Sequence, residues 1–175
     1  MEVFPLYMLH NLNKIPVFPL PEGFHFRFFQ DSTDDINWAR ITAATGEFNN
    51  EQDALNRFNL EFRTNLNEAQ KRILFLETTA GQTVGTATAW FGVWSNEIIG
   101  RLHWIEIIPE FQGKKLGKPL ITEAMNILAR YHEKAYLKTQ TTSLAAIHLY
   151  KKLGWEPAIL TKEDQLAWDQ LNNPM

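Results

Sequence analysis

One continuous run, Arg101 to Tyr131, limits the fold more than any other part of the chain, because it joins an apolar strand to an amphipathic helix through a short basic loop. The segment RLHWIEII (101–108) is apolar enough to lie in the centre of a sheet. The helix after the loop carries one apolar stripe at spacings of three and four, made of Leu116, Leu120, Ile121, Ala124, Leu128 and Tyr131. A buried strand followed by such a helix indicates a sheet covered by helices.

Further strands and helices are predicted on both sides of this run. In chain order they are a strand at 24–29, a helix from a cap at Ser32 or Thr33 to about Thr45, a helix over 54–66, a hairpin over 72–91 that turns at Ala80–Gly81, a strand at 135–139 and a helix capped by Ser143 that ends at Gly154. The tail after Pro157 has no clear pattern. This order predicts an α/β fold, or more specifically an α+β mixed sheet.

The first 23 residues differ in composition from the remainder. Prolines at positions 5, 16, 19 and 21 are incompatible with a helix interior or a central strand. We therefore predict an extended arm over 1–23 and a single domain over 24–175, a size that suits one hydrophobic core. The apolar arm either covers a site on the domain or mediates a homodimer.

Composition excludes several classes of protein. A net charge of −3 argues against a nucleic-acid binder. The absence of cysteine excludes disulfides, thiolate metal ligands and a cysteine nucleophile, and the five histidines lack the spacing of metal ligands, so no metal is expected. Neither a secretory signal nor an 18-residue apolar window is present, so we expect no membrane association and a cytoplasmic location.

The loop that opens the helix contains two glycines and three lysines between Gln112 and Lys118. The first amides of a helix have no internal partners and carry partial positive charge, so this loop is a candidate phosphate site. It matches neither the G-x-x-x-x-G-K-[ST] loop nor the G-x-G-x-x-G fingerprint. A solvated, lysine-rich helix start and an unrelated phosphate-binding protein are the alternatives.

Two segments resemble the GNAT superfamily of N-acetyltransferases. The run IEIIPEFQGKKLGKPL (105–120) is similar to its acyl-CoA-binding motif [QR]-x-x-G-x-[GA]: Gln112 and Gly117 match, whereas Lys115 stands where the first motif glycine is usual. The run TTSLAAIHLYKKLGW (141–155) resembles the downstream helix N-x-x-A-x-x-L-Y-x-x-x-G-F, with matches at Ala146, Leu149, Tyr150 and Gly154, Trp155 in place of Phe, and Ser143 in place of Asn. The resemblance extends from about Phe24 to Pro157.

This resemblance implies a GNAT-like fold with splayed central parallel strands that hold acetyl-CoA as co-substrate. The main chain of Ile105, Glu106 and Ile107 is expected to pair with the pantetheine. The residues expected around the pyrophosphate are Gln112, Gly113, Lys114, Lys115, Leu116, Gly117 and Lys118. Ser143 is also expected to bind the cofactor. An amine, either a small molecule or a peptide, then attacks the thioester directly, without a covalent enzyme intermediate.

Two residues are predicted to carry the proton transfers. Tyr150 matches the family tyrosine that serves the leaving thiolate. His103 is the candidate base, because its ordinary pKa near 6.5 suits an ammonium and because alternation along the strand places it on one face with Ile105 and Ile107. Glu106 then points to the opposite face and becomes the base only if the register shifts.

The acceptor pocket is expected beside Trp90, Phe91 and Trp94, between the early helices and the end of the hairpin. Aromatic side chains there suit an apolar or cationic amine, although core packing is the common role of such residues. The alternative function is a non-catalytic acyl-CoA-binding regulatory domain, which would not need both His103 and Tyr150.

Overall fold

The structure is a computed structural model that describes residues 3–30 and 33–172, and the predicted α/β mixed sheet is confirmed. Its strands are β1 (Pro5–His10), β2 (Phe24–Phe28), β3 (Ile73–Thr78), β4 (Thr83–Trp94), β5 (Glu97–Ile107), β6 (Ala135–Gln140) and β7 (Glu156–Ala158). Its helices are α1 (Asp34–Ala44), α2 (Glu51–Phe62), α3 (Leu66–Arg72), α4 (Gly117–Ala129), α5 (Leu144–Lys152) and α6 (Lys162–Asn172), with short 3-10 turns at Arg63–Asn65 and Pro109–Phe111.

The sheet has the strand order β2-β3-β4-β5-β6-β1-β7, and β5 and β6 are its parallel pair. All the other paired neighbours run antiparallel. Helix α4 provides the crossover from β5 to β6. The carboxyl ends of a parallel pair at such a switch in direction are where α/β sheets bind ligands.

Strands β5 and β6 separate soon after they meet. Their register comprises three pairs, Gly100 with Ala135, Arg101 with Tyr136 and Leu102 with Leu137. Beyond Leu102 the ladder ends, although β5 continues to Ile107 and β6 to Gln140. The two strands therefore form the splayed pair that was expected, with a cleft between their carboxyl ends.

A β-bulge interrupts β5 within this cleft. Thr88 of β4 pairs with His103, whereas Thr86, two residues earlier, pairs with Glu106, so β5 contains one extra residue. Trp104 provides it and has a φ of 49°. Because paired residues share a face and the bulge shifts the alternation, His103 and Glu106 point to the same side. The prediction that Glu106 faces away from His103 is therefore wrong.

The N-terminal segment, for which an extended arm lying against the domain was predicted, contributes a strand to the sheet. Strand β1 lies between β6 and β7, with Leu6 and Met8 fully buried. Pro5 is tolerated because it is the first residue of the strand. The remaining prolines lie in the extended connection to β2.

Helices α1 and α2 pack against the sheet through aromatic residues. Trp38 and Phe58 are fully buried, with ring centroids 5.5 Å apart, and Phe62 is 6.1 Å from Trp38. The side chain of Asn50 caps α2 by accepting a hydrogen bond from the amide of Asp53 at 2.8 Å.

The predicted capping side chains differ from those observed. Ser143 and Thr33 hold the N-cap positions of α5 and α1 but make no capping hydrogen bond through their side chains, so the prediction of side-chain capping by Ser143 is wrong. Ser32 lies outside the described residues. No helix in residues 3–30 and 33–172 is both long enough and apolar enough to span a bilayer.

Candidate active site between strands β5 and β6

The cleft between the diverging strands encloses a cavity of about 480 Å³, which we call the central cavity. Residues with functional groups that line it are Glu47, Arg101, His103, Trp104, Glu106, Lys138, Thr139, Gln140, Ser143 and Tyr150. The cavity therefore brings together the predicted residues His103, Glu106, Ser143 and Tyr150, which are up to 47 positions apart in the sequence.

A second cavity, of about 670 Å³, lies beside the basic loop, and we call it the loop cavity. One wall consists of Ile107 and the loop residues Gln112, Gly113, Lys115, Leu116, Gly117 and Lys118, with Leu149 of α5. The extended connection provides another wall with Phe18, Pro19 and Pro21. Ile107 and Leu149 of the loop cavity are the sequence neighbours of Glu106 and Tyr150 of the central cavity. The two cavities therefore occupy successive parts of one cleft.

Two residues with positive φ shape the basic loop. Gly113 has a φ of 76° and Lys115 a φ of 62°, so the lysine at the usual glycine position adopts a left-handed backbone. Leu116 is buried and anchors the loop, and Gln112 closes it by donating from Nε2 to the Ile107 carbonyl at 2.9 Å. A turn with left-handed residues next to a helix start directs amides toward an anion.

Two of the three lysines of the loop lie over aromatic rings at its edge. Lys114 Nζ is 4.4 Å from the centroid of the Phe111 ring, and Lys118 Nζ is 5.0 Å from that of Phe18. All three lysines are exposed, so their ammonium groups stay hydrated and add positive charge around the amides.

His103 is held by a carboxylate from α2. Its Nε2 lies 2.9 Å from Oε2 of Glu61, and Trp104 donates from Nε1 to the same oxygen at 3.0 Å. Burial lowers the pKa of His103, and the hydrogen bond to Glu61 only partly opposes this effect. Burial alone would raise the pKa of Glu61, but the bonds from His103 and Trp104 keep it below its ordinary value. His103 is therefore a neutral imidazole that donates from Nε2 to an ionised Glu61.

Glu106 is the titratable group of the cavity that is poised near neutrality. Burial raises its pKa to about 7, the negative charge of Glu47 adds to the rise, and a polar contact with the Thr45 hydroxyl opposes it. A carboxyl group with such a pKa suits a base or an acid that works near pH 7.

Tyr150 closes the cavity from α5, with its ring 6.5 Å from that of Trp155. Burial raises its pKa above the ordinary value, and the charge of Glu106 contributes to the rise. The hydroxyl therefore keeps its proton throughout the neutral range and can donate a hydrogen bond to a group in the cleft.

The three aromatic residues predicted to frame the acceptor have different surroundings. Trp90 packs against Phe62 and Phe91, with centroids 5.0 Å and 4.9 Å away, and so belongs to the packing of the sheet. Trp94 lines a third cavity, at the other end of β5. Among the described residues, no cluster of three or more His, Asp or Glu side chains is arranged to hold a metal ion.

Sequence reasoning missed Glu61, Glu47 and Arg101 as members of the site. Glu61 is 42 residues from His103 and resembles any polar residue on the exposed side of a helix. Its one local signal is the spacing of four from Arg57, with which it forms an ion pair at 3.6 Å.

Comparisons with known proteins agree with this geometry. The model of the acetyltransferase (GNAT) family matches residues 33–155. Two similar relatives are named mycothiol acetyltransferases: that of Streptomyces griseus subsp. griseus is 29% identical over 137 residues and that of Streptomyces bingchenggensis is 30% identical over 142. The alignments cover 78% and 81% of this chain but only 44% and 46% of the relatives, so the chain spans about half of their length.

Solved structures with this fold include two acetyltransferases. A GCN5-related N-acetyltransferase from Sphaerobacter thermophilus superposes with a TM-score of 0.69 at 18% identity, over 88% of this chain and 48% of that one. Glucosamine-6-phosphate N-acetyltransferase from Arabidopsis thaliana gives a TM-score of 0.56 at 16% identity, over 80% of this chain and 96% of that one. At these identities the similarity concerns the fold alone.

Proposed function

The chain belongs to the acetyltransferase (GNAT) family, a family that uses acetyl-CoA, and from that premise we propose that it transfers the acetyl group of acetyl-CoA to an amine by direct attack. The observation that carries the proposal is the placement of Glu106 and Tyr150 in one cavity, where β5 and β6 separate. One group accepts a proton near pH 7 and the other keeps a hydroxyl proton to donate, as the two ends of this reaction require.

The proposed orientation of acetyl-CoA follows from the unpaired part of β5 and the basic loop. The pantetheine pairs with the main chain of Ile105, Glu106 and Ile107, which have no ladder partner on β6. The pyrophosphate lies on the amides of the basic loop, from Gly113 to Lys118, at the start of α4. The loop cavity takes the apolar parts of the nucleotide end, with Phe18 as one wall. Ser143 lines the central cavity beside the pantetheine path.

The proposed chemistry divides between the two sides of the central cavity. Glu106 takes one proton from the ammonium form of the acceptor, and the lone pair of the neutral nitrogen forms a bond to the thioester carbon. The carbon–sulfur bond of the adduct then breaks, and its electron pair leaves with sulfur. Tyr150 donates its hydroxyl hydrogen bond to that thiolate, and the second proton that the nitrogen loses as the amide forms balances the proton that the thiolate takes up. His103 is hydrogen-bonded to Glu61 and forms part of the cavity wall beside the amine. In this proposal Glu106, and not His103 as predicted, is the base.

Calorimetry with acetyl-CoA tests the first requirement of this function. We expect saturable binding, and equally saturable binding of CoA, because most contacts involve the pantetheine and the pyrophosphate. An absence of binding at millimolar acetyl-CoA would overturn the proposal. The cytoplasmic location and the homodimer that were expected from the sequence remain predictions.

Replacing Lys115 by glycine is expected to stabilise the protein and to preserve or improve acetyl-CoA binding. A left-handed backbone costs a residue with a side chain about 1–2 kcal/mol, which the glycine variant avoids. The greater freedom of glycine in the unfolded chain offsets roughly 0.4–1 kcal/mol of this stabilisation. Urea unfolding of Lys115→Gly should therefore show an increase of about 0.5–1 kcal/mol in the free energy of unfolding.

Lys114→Gly is the matched control, because Lys114 is not among the residues with positive φ. It removes the same charge from the same loop and gains no relief of strain, so we expect a small loss of stability. Equal losses in both variants would show that Lys115 is unstrained. Weaker acetyl-CoA binding by Lys115→Gly than by Lys114→Gly would show that the Lys115 side chain contacts the ligand.

A further inference from the structure

The central cavity continues past Arg101 into a third cavity, of about 450 Å³, at the amino end of the same strands. Arg101 and Lys138 line both cavities, and Tyr7, Trp94 and Tyr136 form an aromatic wall of the third. We call the two cavities together the acceptor groove, since they extend from the proposed site of reaction away from the basic loop.

Arg101 lacks the partner that other arginines of the protein have. Arg27, Arg63 and Arg72 each hold a carboxylate at 2.7 Å or closer. Arg101 forms no ion pair among the described residues, and its Nε is buried without a hydrogen-bond acceptor. Its guanidinium carbon lies 5.8 Å from the centroid of the Tyr136 ring. A buried donor on a cation is costly to leave unpaired, so a ligand atom is the natural acceptor.

Arg101 lies next to the proposed site of reaction. Arg101 pairs with Trp90 of β4, and His103 pairs with Thr88. Arg101 and His103 are therefore successive residues on the same face of β5, with about 7 Å between their Cα atoms. The positive charge of Arg101 acts on His103, lowering its pKa together with burial. The groove is thus polarised, with Arg101 and Lys138 at one end and Glu106 and Glu47 at the other.

The other charged group of the third cavity is already engaged. Asp164 accepts hydrogen bonds at 2.9 Å from the amides of Leu160 and Thr161, at the start of α6. Lys138 is exposed and has no carboxylate partner among the described residues. Asp164 keeps its negative charge but is held against these two amides, and neither Arg101 nor Lys138 forms an ion pair with it or with another described carboxylate.

We propose that Arg101, assisted by Lys138, binds an anionic group of the acceptor, so that the acceptor is an amine that also carries a carboxylate or a phosphate. The inference rests on the proposed function for the reaction itself. The planar guanidinium presents paired donors that match either anion, and the amine then extends toward Glu106, which attracts a cation before deprotonating it. Arg101 pairs with Trp90 and Glu106 with Thr86, four residues apart on β4, so Arg101 and Glu106 are separated by about 13 Å between Cα atoms, a gap that their long side chains shorten.

Pairs of acceptors that differ only in charge test this inference. Glycine and the ω-amino acids up to 6-aminohexanoate are compared with their primary amides, and phosphoethanolamine with ethanolamine, by CoA release at saturating acetyl-CoA. We expect at least one anionic member to exceed its neutral partner by tenfold or more in kcat/KM. The carboxylate and phosphate arms identify which anion fits.

Variants of Arg101 assign the preference to this residue. In Arg101→Gln the ratio of kcat/KM for the anionic and neutral partners should fall to about one, and Arg101→Lys, which keeps the charge without the paired donors, should give an intermediate ratio. Arg130→Gln removes an exposed arginine at the end of α4 and should leave the ratio as in the wild type. An unchanged ratio in Arg101→Gln, or no preference in the wild type, would overturn the inference.

Calorimetry with the same compounds separates this inference from the proposed function. If no amine releases CoA, the proposed function fails, but tenfold tighter binding of an acid than of its amide, lost in Arg101→Gln, still supports the anion site. If acids and amides bind alike, or neither binds, the anion site is overturned whatever the outcome for catalysis.

Discussion

Glu106→Gln is expected to lower kcat/KM for acetyl transfer by about 10²–10⁴-fold, the range that a general base contributes. The substitution keeps the size of the side chain and removes the group that we propose as the base. The fold should persist, because the burial that raises the pKa of Glu106 favours a neutral side chain at this position. Steady-state CoA release, with acetyl-CoA affinity measured separately, distinguishes lost catalysis from lost binding.

The pH dependence identifies the group responsible. Glu106 acts as a base only when ionised, and its pKa is raised to about 7, so kcat/KM of the wild type should fall tenfold per pH unit below about pH 7. Glu106→Gln should lose this acidic limb. His103→Ala should keep it, because burial lowers the pKa of His103 and its Nε2 is occupied by Glu61. If the limb disappears in His103→Ala and persists in Glu106→Gln, the base is His103.

Tyr150→Phe is expected to lower kcat by about 10²-fold or more while acetyl-CoA affinity changes little. The phenylalanine keeps the ring contact with Trp155 and loses only the hydroxyl that faces the cleft. Because burial raises the pKa of Tyr150, the hydroxyl stays protonated through the neutral range, so the variant should lower the whole pH profile without changing its shape.

Tyr131→Phe is the matched control for this variant. Tyr131 is exposed beyond the end of α4, where its ring lies 4.2 Å from the guanidinium carbon of Arg72, and it lines neither the central cavity nor the loop cavity. Removing the hydroxyl of Tyr131 should leave kcat within about twofold of the wild type. Full activity in Tyr150→Phe would remove Tyr150 from the mechanism.

The fold could be predicted because its central part carries strong local patterns. The apolar strand, the basic loop and the helix with one apolar stripe occur in one run. The spacing of Ala146, Leu149, Tyr150 and Gly154 in and after α5 provides a second motif, which restricts the choice of family. Strand β1 was missed because the prolines of the first 23 residues outweighed a weaker signal. Leu6, Met8 and His10 alternate with more exposed residues and are buried, which is the pattern of a strand.

The arrangement of the site could be predicted only in part. Strand alternation placed His103 and Glu106 on opposite faces, and one extra residue at Trp104 reversed that result. Tryptophan is not a typical residue for positive φ, so the position of this bulge has no signature in the sequence. The unpaired state of Arg101 is equally invisible there, because it depends on which carboxylates of distant segments come within reach.

Acetyl transfer in a single step at Glu106 and Tyr150 is the central claim, and the most direct test is product formation with a reactive amine. The measurement follows free CoA with a thiol reagent and acetylated amine by mass spectrometry in the same sample, with the intact protein mass recorded during turnover. The account predicts equal amounts of CoA and acetylated amine, both dependent on the amine, and an unmodified protein. Acetyl-CoA binding without any amine-dependent release of CoA, or an acetylated protein that accumulates before the product, would contradict it.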